Sequence, residues 1–387
     1  MNTNITPTIK YIGVDDLDLD LFEGQYIIPN GVSYNSYLIL DEKVAIMDTV
    51  DERKCAEWLD NLTAALNGRT PDYLIVQHME PDHAGSIAHL AERYPEMQII
   101  ASARAIPMLA QFFGHLDLAS RATAVKEGDT LSLGSHTLQF IMAPMVHWPE
   151  VMVTYEQSEK ILFSADGFVK FGALCCEEEW ACEARRYYFN ICGKYGQPVQ
   201  ALLKKASGLE IAQICPLHGP VLNENLGYYL SLYNTWSSYE PEAKGVVVAY
   251  ASIHGGTAAA AKAFAEMLRE RGVERVALTD LCRDDMAEAI EDAFKYDRMV
   301  VAASSYDGDV FPPMYDFLHH LQLKNYQRRR VGIIENGSWS PCAGRIMRGL
   351  LEQMKEVEIV LPMVSIRSRM SSESRLTMEE LADALSK

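Results

Sequence analysis

Apolar runs and helical patterns alternate regularly in the last third of the chain. Beyond a polar stretch that contains Pro241, five strand-like runs are separated or followed by amphipathic helical patterns. These runs cover residues 245–250, 275–281, 298–305, 329–336 and 358–366. Strands that are apolar along their whole length and alternate with helices are typical of a parallel sheet covered on both faces. The pattern predicts a doubly wound domain over residues 245–387, with ligands at the carboxyl ends of its strands.

The first 240 residues have a less regular rhythm, in which short apolar runs are mixed with helical patterns. Strand-like runs include YLIVQ at 73–77, TLQFIMAP at 137–144 and KILFSA at 160–165, and CAEWLDNLTAAL at 55–66 has helical periodicity. We predict a mixed α/β domain with two sheets over residues 1–240, although these patterns do not fix its topology.

Composition and charge exclude several classes of protein. The chain has 387 residues, of which 48% are apolar and 23% are charged, enough hydrophobic material for a core in each of two domains. Acidic residues outnumber basic residues 53 to 35, and the net charge of −18 disfavours binding to nucleic acids or anionic membranes. The eight cysteines are scattered, the N-terminus has no secretory pattern, and no apolar run reaches about 18 residues. These features predict a soluble cytoplasmic protein.

Histidines and carboxylates are concentrated where strands end in the first domain. The segment VQHMEPDHAGS places four of them within six residues after an apolar strand, and three more follow later strands. The candidate metal ligands are His78, Glu80, Asp82, His83, His147, Asp166 and His218. If the chain leaves the strand extended, alternate side chains point the same way, and His78, Glu80 and Asp82 converge. An isolated residue of this kind usually belongs to a turn, as we expect for the other six histidines, but seven together at strand ends favour one metal site.

Small and hydroxyl-bearing residues form the loop after the first strand of the second domain. Residues 252–257 open a helix, so their backbone N–H groups and two hydroxyls can hold a phosphate group without a lysine. Loops at 304–313 and 336–344 contribute Tyr306 and Trp339, which we expect to flank a flat ring, and backbone groups that bind its edges. The candidate cofactor-binding residues are Ser252, Ile253, His254, Gly255, Gly256, Thr257, Ser304, Ser305, Tyr306, Asp307, Gly308, Asn336, Gly337, Ser338 and Trp339.

The pattern H-x-E-x-D-H at residues 78–83, followed by His147, Asp166 and His218, resembles the metallo-β-lactamase fold, in which H-x-H-x-D-H is usual. The departure is Glu80, because a carboxylate in place of an imidazole makes the site harder and suits iron better than zinc. With this substitution the chain resembles the flavodiiron proteins, which continue into a flavodoxin-like FMN domain. The resemblance implies a metallo-β-lactamase-like αββα sandwich followed by a flavodoxin-like, doubly wound five-stranded parallel sheet in the order 2-1-3-4-5.

The resemblance also implies the cofactors, which are FMN and a diiron centre. In that family one iron is bound at the positions of His78, Glu80 and His147. The other iron is bound at the positions of Asp82, His83 and His218, with a bridging carboxylate at the position of Asp166. In some members the histidine that matches His83 is turned away and a water molecule takes its place.

The activity that the resemblance implies is that of a terminal oxidoreductase reducing O2 to water, NO to N2O, or both. The same candidate ligands serve both reactions, so both gases are candidate substrates. Because the chain has no C-x-x-C pair for an iron–sulfur donor of its own, we expect electrons from a separate protein such as rubredoxin. The flavin and the metals lie in different domains, and the resemblance implies a head-to-tail homodimer, or a tetramer, that brings them together.

Two other classes of protein are compatible with parts of the pattern. A zinc hydrolase of the same fold would use a metal-bound hydroxide, but Glu80 and the flavodoxin-like domain argue against it. A flavin electron carrier with an idle metal site would show no rapid consumption of either gas. The metal content and the gas consumption of the purified protein separate these alternatives.

Overall fold

The computed structural model describes residues 4–387, which form two compact units. The first unit comprises the chain up to Tyr187 together with Gln197–Tyr233. The second unit comprises Tyr188–Gly196 and Asn234–Lys387. The main division therefore falls a few residues before the polar stretch that contains Pro241, and one short internal segment groups with the second unit.

Two large sheets and two short ribbons form the first unit. Its strands are β1 (Ile9–Tyr11), β2 (Val14–Asp16), β3 (Leu21–Phe22), β4 (Tyr26–Ile27), β5 (Val32–Tyr34), β6 (Tyr37–Leu40), β7 (Val44–Met47), β8 (Tyr73–Val76), β9 (Gln98–Ser102), β10 (Ala122–Val125), β11 (Thr130–Ser132), β12 (Thr137–Met142), β13 (Met152–Glu156), β14 (Ile161–Phe163) and β15 (Gln213–Cys215). One sheet has the order β1-β6-β7-β8-β9-β10, and the other has the order β11-β12-β13-β14-β15. The ribbons pair β2 with β5 and β3 with β4.

Helices alternate with the strands of this part of the chain. They are α1 (Cys55–Leu66), α2 (Pro81–Ala84), α3 (Ile87–Arg93), α4 (Ala105–Phe112), α5 (Trp180–Tyr187), α6 (Gly196–Ala206) and α7 (Leu226–Ser237). The first of these coincides with the predicted helix because apolar residues recur every four positions, so that Trp58, Leu62 and Leu66 are all buried. Asn67 adopts the left-handed conformation and ends α1.

The two large sheets share one hydrophobic core. Ile39 of β6 and Met47 of β7 are buried in the same cluster as Phe140 of β12 and Phe163 of β14. Because successive side chains along a strand alternate, one face of each sheet is directed to the other sheet. Leu38, on the opposite face of β6, is also fully buried, and α1 packs against that strand. The layered α/β sandwich predicted for this part of the chain is confirmed.

A parallel sheet organises the second unit. Its strands are β16 (Ala243–Ala251), β17 (Val276–Asp280), β18 (Tyr296–Tyr306), β19 (Asp309–Val310), β20 (Arg330–Asn336) and β21 (Glu358–Ile366). Its helices are α8 (Gly256–Glu270), α9 (Met286–Lys295), α10 (Pro312–Leu323), α11 (Ala343–Leu351) and α12 (Ser372–Leu385). The parallel strands follow the order β17-β16-β18-β20-β21, which is the predicted 2-1-3-4-5 order. The doubly wound fold is therefore confirmed.

The amphipathic face of α8 fixes the start of this helix at the carboxyl end of β16. Ala260, Phe264 and Leu268 recur at intervals of four and are fully buried in one cluster with Val248 of β16 and Leu381 of α12. The loop that opens α8 is therefore held on a rigid support. Within residues 4–387, no helix combines the length and the apolar content needed to cross a membrane.

The segment predicted as a loop at 304–313 is instead a hairpin at its start. β18 continues to Tyr306, which pairs with Asp309 of β19. Between them Asp307 and Gly308 both have positive φ, 51° and 76°. An Asp-Gly pair is the favoured sequence for the type I′ turn, whose twist matches that of the flanking strands. The Asp-Gly dipeptide was therefore the sequence signal for this hairpin.

Candidate metal centre and flavin site

The connection after β8 carries four of the candidate ligands. Glu80 is still extended, with φ −61° and ψ 139°, and Pro81 then begins α2. Proline suits the first turn of a helix because its φ is fixed near the helical value. The expected extended arrangement was therefore wrong for Asp82, which lies on the helical turn with His83 and not in one group with His78 and Glu80.

All seven candidate ligands nevertheless come together, in two adjacent groups. Within each group the candidate ligand atoms lie within 4.8 Å of one another. The first group is His78, Glu80, His147 and Asp166, and the second group is Asp82, His83 and His218. The Asp166 carboxylate faces both groups, because its Oδ2 is 3.3 Å from His147 Nε2 and its Oδ1 is 3.2 Å from His83 Nε2.

Each group has a second carboxylate that faces its imidazoles. In the first group, Glu80 Oε2 is 2.9 Å from His147 Nε2. In the second group, Asp82 Oδ2 is 3.2 Å from His218 Nε2 and 3.3 Å from His83 Nε2. Imidazole nitrogens and carboxylate oxygens from separate elements thus surround two neighbouring positions, and the carboxylate of Asp166 lies between them.

Several polar atoms of this cluster are buried close to opposite charges but make no hydrogen bond, which fits a site that binds metal ions. Among residues 4–387, the atoms buried without a hydrogen-bond partner include Nε2 of His83, His147 and His218 and both carboxylate oxygens of Asp82 and Asp166. Buried polar atoms are normally paired, because leaving them unpaired costs free energy. A cation at each group would supply the missing partner, and mixed imidazole and carboxylate ligands suit iron.

The buried charges at the two groups stabilise one another. Burial lowers the pKa of His83, but the carboxylates of Asp82 and Asp166 outweigh burial and raise this pKa to about 9. Burial likewise lowers the pKa of His147, and the adjacent carboxylates of Asp166 and Glu80 raise it to about 9. Burial raises the pKa of Asp166, but His83 and His147 hold it well below its usual range. The carboxylates therefore favour positive charge here, and a bound metal ion would displace the imidazole protons.

Groups outside the ligand set contact the Nδ1 atoms of two of the imidazoles, on the side of each ring away from the other ligands. Glu150 Oε1 is 2.8 Å from His78 Nδ1 and also accepts a hydrogen bond from Met79 N. The backbone oxygen of Ser33 is 2.7 Å from His218 Nδ1. Such partners fix the ring orientation and the tautomer of a metal-bound histidine. Neither partner was predicted from the sequence. For Glu150, the available signal was its position three residues after the candidate ligand His147.

The predicted phosphate loop joins β16 to α8. Ser252 Oγ accepts a hydrogen bond from Gly255 N at 3.1 Å, and Gly255 has a φ of 84°, a conformation that favours glycine. The first hydrogen bond of the helix runs from Ala259 N to Gly255 O. The N–H groups at the start of α8 therefore have no acceptor within the helix, and they provide a position for an anion.

The side chain of Asn336 ties the phosphate loop to two other loops. Its Nδ2 donates to Thr257 Oγ1 at 3.3 Å and to Ser368 O at 3.2 Å, and its Oδ1 accepts from Ser368 N at 3.0 Å. Thr257 Oγ1 is also 2.9 Å from Ser304 Oγ. Gly256 allows this close approach, since a Cβ there would lie 2.4 Å from Ser368 O. Ser368 was not identified from the sequence, whereas the other four residues were.

The two loops predicted to flank a ring carry exposed aromatic side chains. Trp339 is 88% exposed and Tyr306 is 44% exposed. Ser305 Oγ accepts hydrogen bonds from Cys342 N and Ala343 N, which anchors the Trp339 loop on β18. Large aromatic side chains displayed on anchored polar loops suit the binding of a planar cofactor.

Known proteins resemble this chain over nearly its full length. Residues 32–219 match the protein family described as ODP family beta lactamase. A nitric oxide reductase of Moorella thermoacetica is 30% identical over 371 residues, which cover 92% of this chain and 90% of that protein. An anaerobic nitric oxide reductase flavorubredoxin of Aeromonas hydrophila is 29% identical over 378 residues, 93% of this chain and 75% of that protein. A variant of the flavo di-iron protein of Thermotoga maritima has a TM-score of 0.88, with 26% identity and coverage of 98% of this chain and 95% of that chain.

Fold, site and similar proteins together define an oxidoreductase that combines a metallo-β-lactamase-like unit with a flavodoxin-like unit. The similarity to the Moorella reductase extends over almost the whole of both chains. The chain belongs to the flavodiiron protein family, as Glu80 and the flavodoxin-like pattern predicted. The cofactors of this family, FMN and a diiron centre, are the ones predicted from the sequence.

Proposed function

We propose that this flavodiiron protein is a terminal oxidoreductase that reduces O2 to water, NO to N2O, or both. The observation that carries the proposal is the pair of buried ligand groups that share Asp166, in one chain with a flavodoxin-like unit. The names of the Moorella and Aeromonas relatives support NO as a substrate. When bound, the iron ions and FMN would transfer to the gas the electrons that a separate donor provides, so the task of the chain's own residues is to bind and orient these cofactors.

The proposed iron ligands follow the two groups of side chains. The first iron is assigned to His78, Glu80 and His147. The second iron is assigned to Asp82, His83 and His218, and Asp166 bridges the two. The orphaned buried atoms on five of these side chains support the assignment. We include His83 because its Nε2 lies within 3.3 Å of carboxylate oxygens on both sides.

The carboxylates of the centre have an electrostatic task in addition to ligation. Glu80, Asp82 and Asp166 place three negative charges among the imidazoles, and these offset most of the positive charge of two ferrous ions. Without this compensation, two cations a few ångströms apart in a buried site would repel each other strongly. Two adjacent metals with few protein ligands each can present neighbouring open positions to a small gas molecule.

The proposed FMN site uses all three loops at the carboxyl edge of the second-unit sheet. Residues 252–257 hold the phosphate at the start of α8, where N–H groups and the macrodipole favour an anion. Tyr306 and Trp339 flank the ring, and backbone groups at 304–308 and 336–338 bind its edges. The exposure of both aromatic side chains and the anchoring of their loops support this proposal.

We further propose a rubredoxin-type electron donor, a cytoplasmic location and a head-to-tail homodimer. The absence of a C-x-x-C pair from the sequence and the flavorubredoxin name of the Aeromonas relative support the donor. The dimer follows from the assignment of flavin and metals to different domains, 245–387 and 1–240. Sedimentation at the concentration used for turnover tests this proposal, because full turnover by a strictly monomeric protein would contradict it.

Metal analysis followed by anaerobic stopped-flow measurements tests the function as a whole. Protein from iron-replete cells is expected to contain two irons and one FMN per chain, and the reduced protein is expected to consume at least one gas rapidly. Comparing kcat/KM for O2 and for NO then identifies the preferred substrate. Two zinc ions and no iron would instead support a hydrolase, and slow reaction with both gases would support an electron carrier.

A further inference from the structure

Three buried imidazoles of the metal centre differ in what lies behind them. His78 Nδ1 faces a carboxylate, Glu150 Oε1, at 2.8 Å. His218 Nδ1 faces a neutral backbone carbonyl, that of Ser33, at 2.7 Å. Among residues 4–387, His83 Nδ1 has no hydrogen-bond partner. The two groups of ligands are therefore unequal, because among residues 4–387 a carboxylate from outside the ligand set contacts an imidazole nitrogen only in the first group.

Glu150 is a buried carboxylate whose one ion-pair partner, among residues 4–387, is the ring of His78. The residue is 1% exposed, and Oε1 accepts a further hydrogen bond from Met79 N at 3.0 Å. Among residues 4–387, Oε2 is buried without a hydrogen-bond partner. A buried carboxylate is costly unless positive charge lies close to it. The positive charge available is that of the His78 ring and of a metal ion on the far side of that ring.

The loop that carries Glu150 also carries a candidate ligand of the same group. His147 and Glu150 both lie between β12 and β13, and Ala143 N donates to Val151 O across the base of this loop. Ser102 Oγ donates to Glu150 O at 2.7 Å and ties the loop to β9. One anchored loop therefore contributes to the first group twice. It carries the candidate ligand His147, and it carries Glu150, which contacts the candidate ligand His78.

We propose that Glu150 is a positioning residue that makes the two proposed iron sites unequal. A carboxylate behind an imidazole fixes the tautomer with the proton on Nδ1 and makes Nε2 a stronger donor to the metal. The extra negative charge also stabilises a ferric ion more than a ferrous ion. Glu150 thus gives the first group the tighter hold on iron and the lower reduction potential. This inference rests on the proposed diiron function.

A second buried His–Glu pair in the same unit provides a matched control. His136 Nδ1 is 3.0 Å from Glu156 Oε1, and both side chains are buried. His136 Nε2 is 3.0 Å from Thr8 Oγ1, so this imidazole faces a hydroxyl and belongs to neither ligand group. Glu156→Gln removes a charge of the same kind from the same fold without touching the metal centre.

The test is an anaerobic titration of the metal-free, FMN-loaded full-length protein with Fe(II). Wild type and Glu156→Gln are expected to bind two ions alike. Glu150→Gln keeps an acceptor for His78 but removes the charge, and is expected to weaken binding of one of the two ions by about 10- to 100-fold. Glu150→Ala removes both and is expected to weaken the same ion at least as much. Near-ultraviolet circular dichroism checks that each variant is folded.

Spectroelectrochemical titration of the iron-loaded proteins separates tuning from simple support. Glu150→Gln is expected to shift the potential of one iron to a more positive value, and Glu150→Asp, which keeps the charge, is expected to shift it less. Equal weakening of both ions, or equal effects of Glu150→Gln and Glu156→Gln, would overturn the inference. If wild type itself fails to bind two irons, the proposed function fails instead.

Discussion

The metal centre and the flavin loops are built by opposite means. The metal centre gathers buried charged side chains whose partners are also buried, so that Asp166, His83 and His218 are each at most 1% exposed. The flavin loops consist of small residues, backbone groups and exposed aromatics, held together by neutral hydrogen bonds such as those of Asn336. We infer that the first site depends on charge balance and the second on loop position. Variants at one site should therefore leave the other intact.

The largest expected effect is that of Asp166→Asn. Loss of the charge that faces both groups removes the proposed link between the two metals, and gas consumption should fall by about 100-fold or more, since even outer partners of metal ligands contribute 10- to 100-fold. Iron content by elemental analysis should fall, while FMN content stays at one per chain. The exposed carboxylate of Asp60 is the control, and Asp60→Asn should behave as wild type. Two tightly bound irons in Asp166→Asn would contradict the bridging role.

Glu80→His tests whether charge selects the metal. It restores the H-x-H-x-D-H pattern, and the loss of one carboxylate makes the site softer and less anionic, which favours zinc over iron. The zinc-to-iron ratio after growth with both metals should rise, and gas consumption should fall by roughly 10-fold or more. FMN content should again be unchanged. An unaltered metal ratio with full activity would mean that Glu80 does not determine the metal.

Asn336→Ala tests the dependence of the flavin site on loop position. The variant removes three hydrogen bonds that join the phosphate loop and the Ser368 loop, and FMN binding should weaken by about 10-fold, or about 1.4 kcal/mol. Fluorescence titration with FMN measures this, and iron content should not change. Asn61, which donates to Gly13 O in the first unit, offers the control Asn61→Ala. Unchanged FMN affinity would show that the loops keep their positions without Asn336.

The smallest expected effect concerns two helical glycines of the second unit. A Cβ at Gly256 would meet Ser368 O at 2.4 Å, so Gly256→Ala should displace the loops and weaken FMN binding a few-fold, about 1 kcal/mol. A Cβ at Gly349 would meet no heavy atom within 4 Å. Gly349→Ala should keep FMN affinity and raise the free energy of unfolding by about 0.5–1 kcal/mol through helix propensity. Equal FMN affinities of the two variants would contradict the close packing inferred at Gly256.

Local sequence patterns predicted those features that depend on local physics. Periodicity and motif spacing predicted the parallel strands of the second unit, the helix from Cys55 to Leu66 and the convergence of the seven candidate ligands. The partners of these residues do not. Glu150 is 72 residues from His78, and Ser368 is 32 residues from Asn336. Such pairs are brought together by tertiary packing, which periodicity does not encode.

The helical turn at Asp82 shows a different kind of omission. Alternation of side chains along an extended chain placed Asp82 with Glu80, but the intervening Pro81 carried a local signal for a helix start. The Asp307–Gly308 turn is similar, since the dipeptide favours a hairpin where a loop was expected. In both cases two local rules competed, and the one set by backbone conformation prevailed.

The spacing of the ligand groups along the chain has a consequence for biosynthesis. All members of the first group have been translated once Asp166 emerges, whereas the second group is complete only when His218 has been made. The imidazole of His218 contacts the backbone oxygen of Ser33, 185 residues earlier. A nascent chain that stalls between these points has ligands for one metal ion but lacks the third side chain for the other. With the proposed ligands, the paired site is complete only after the final strand of the first unit has been made, so a truncated product would lack part of the second group.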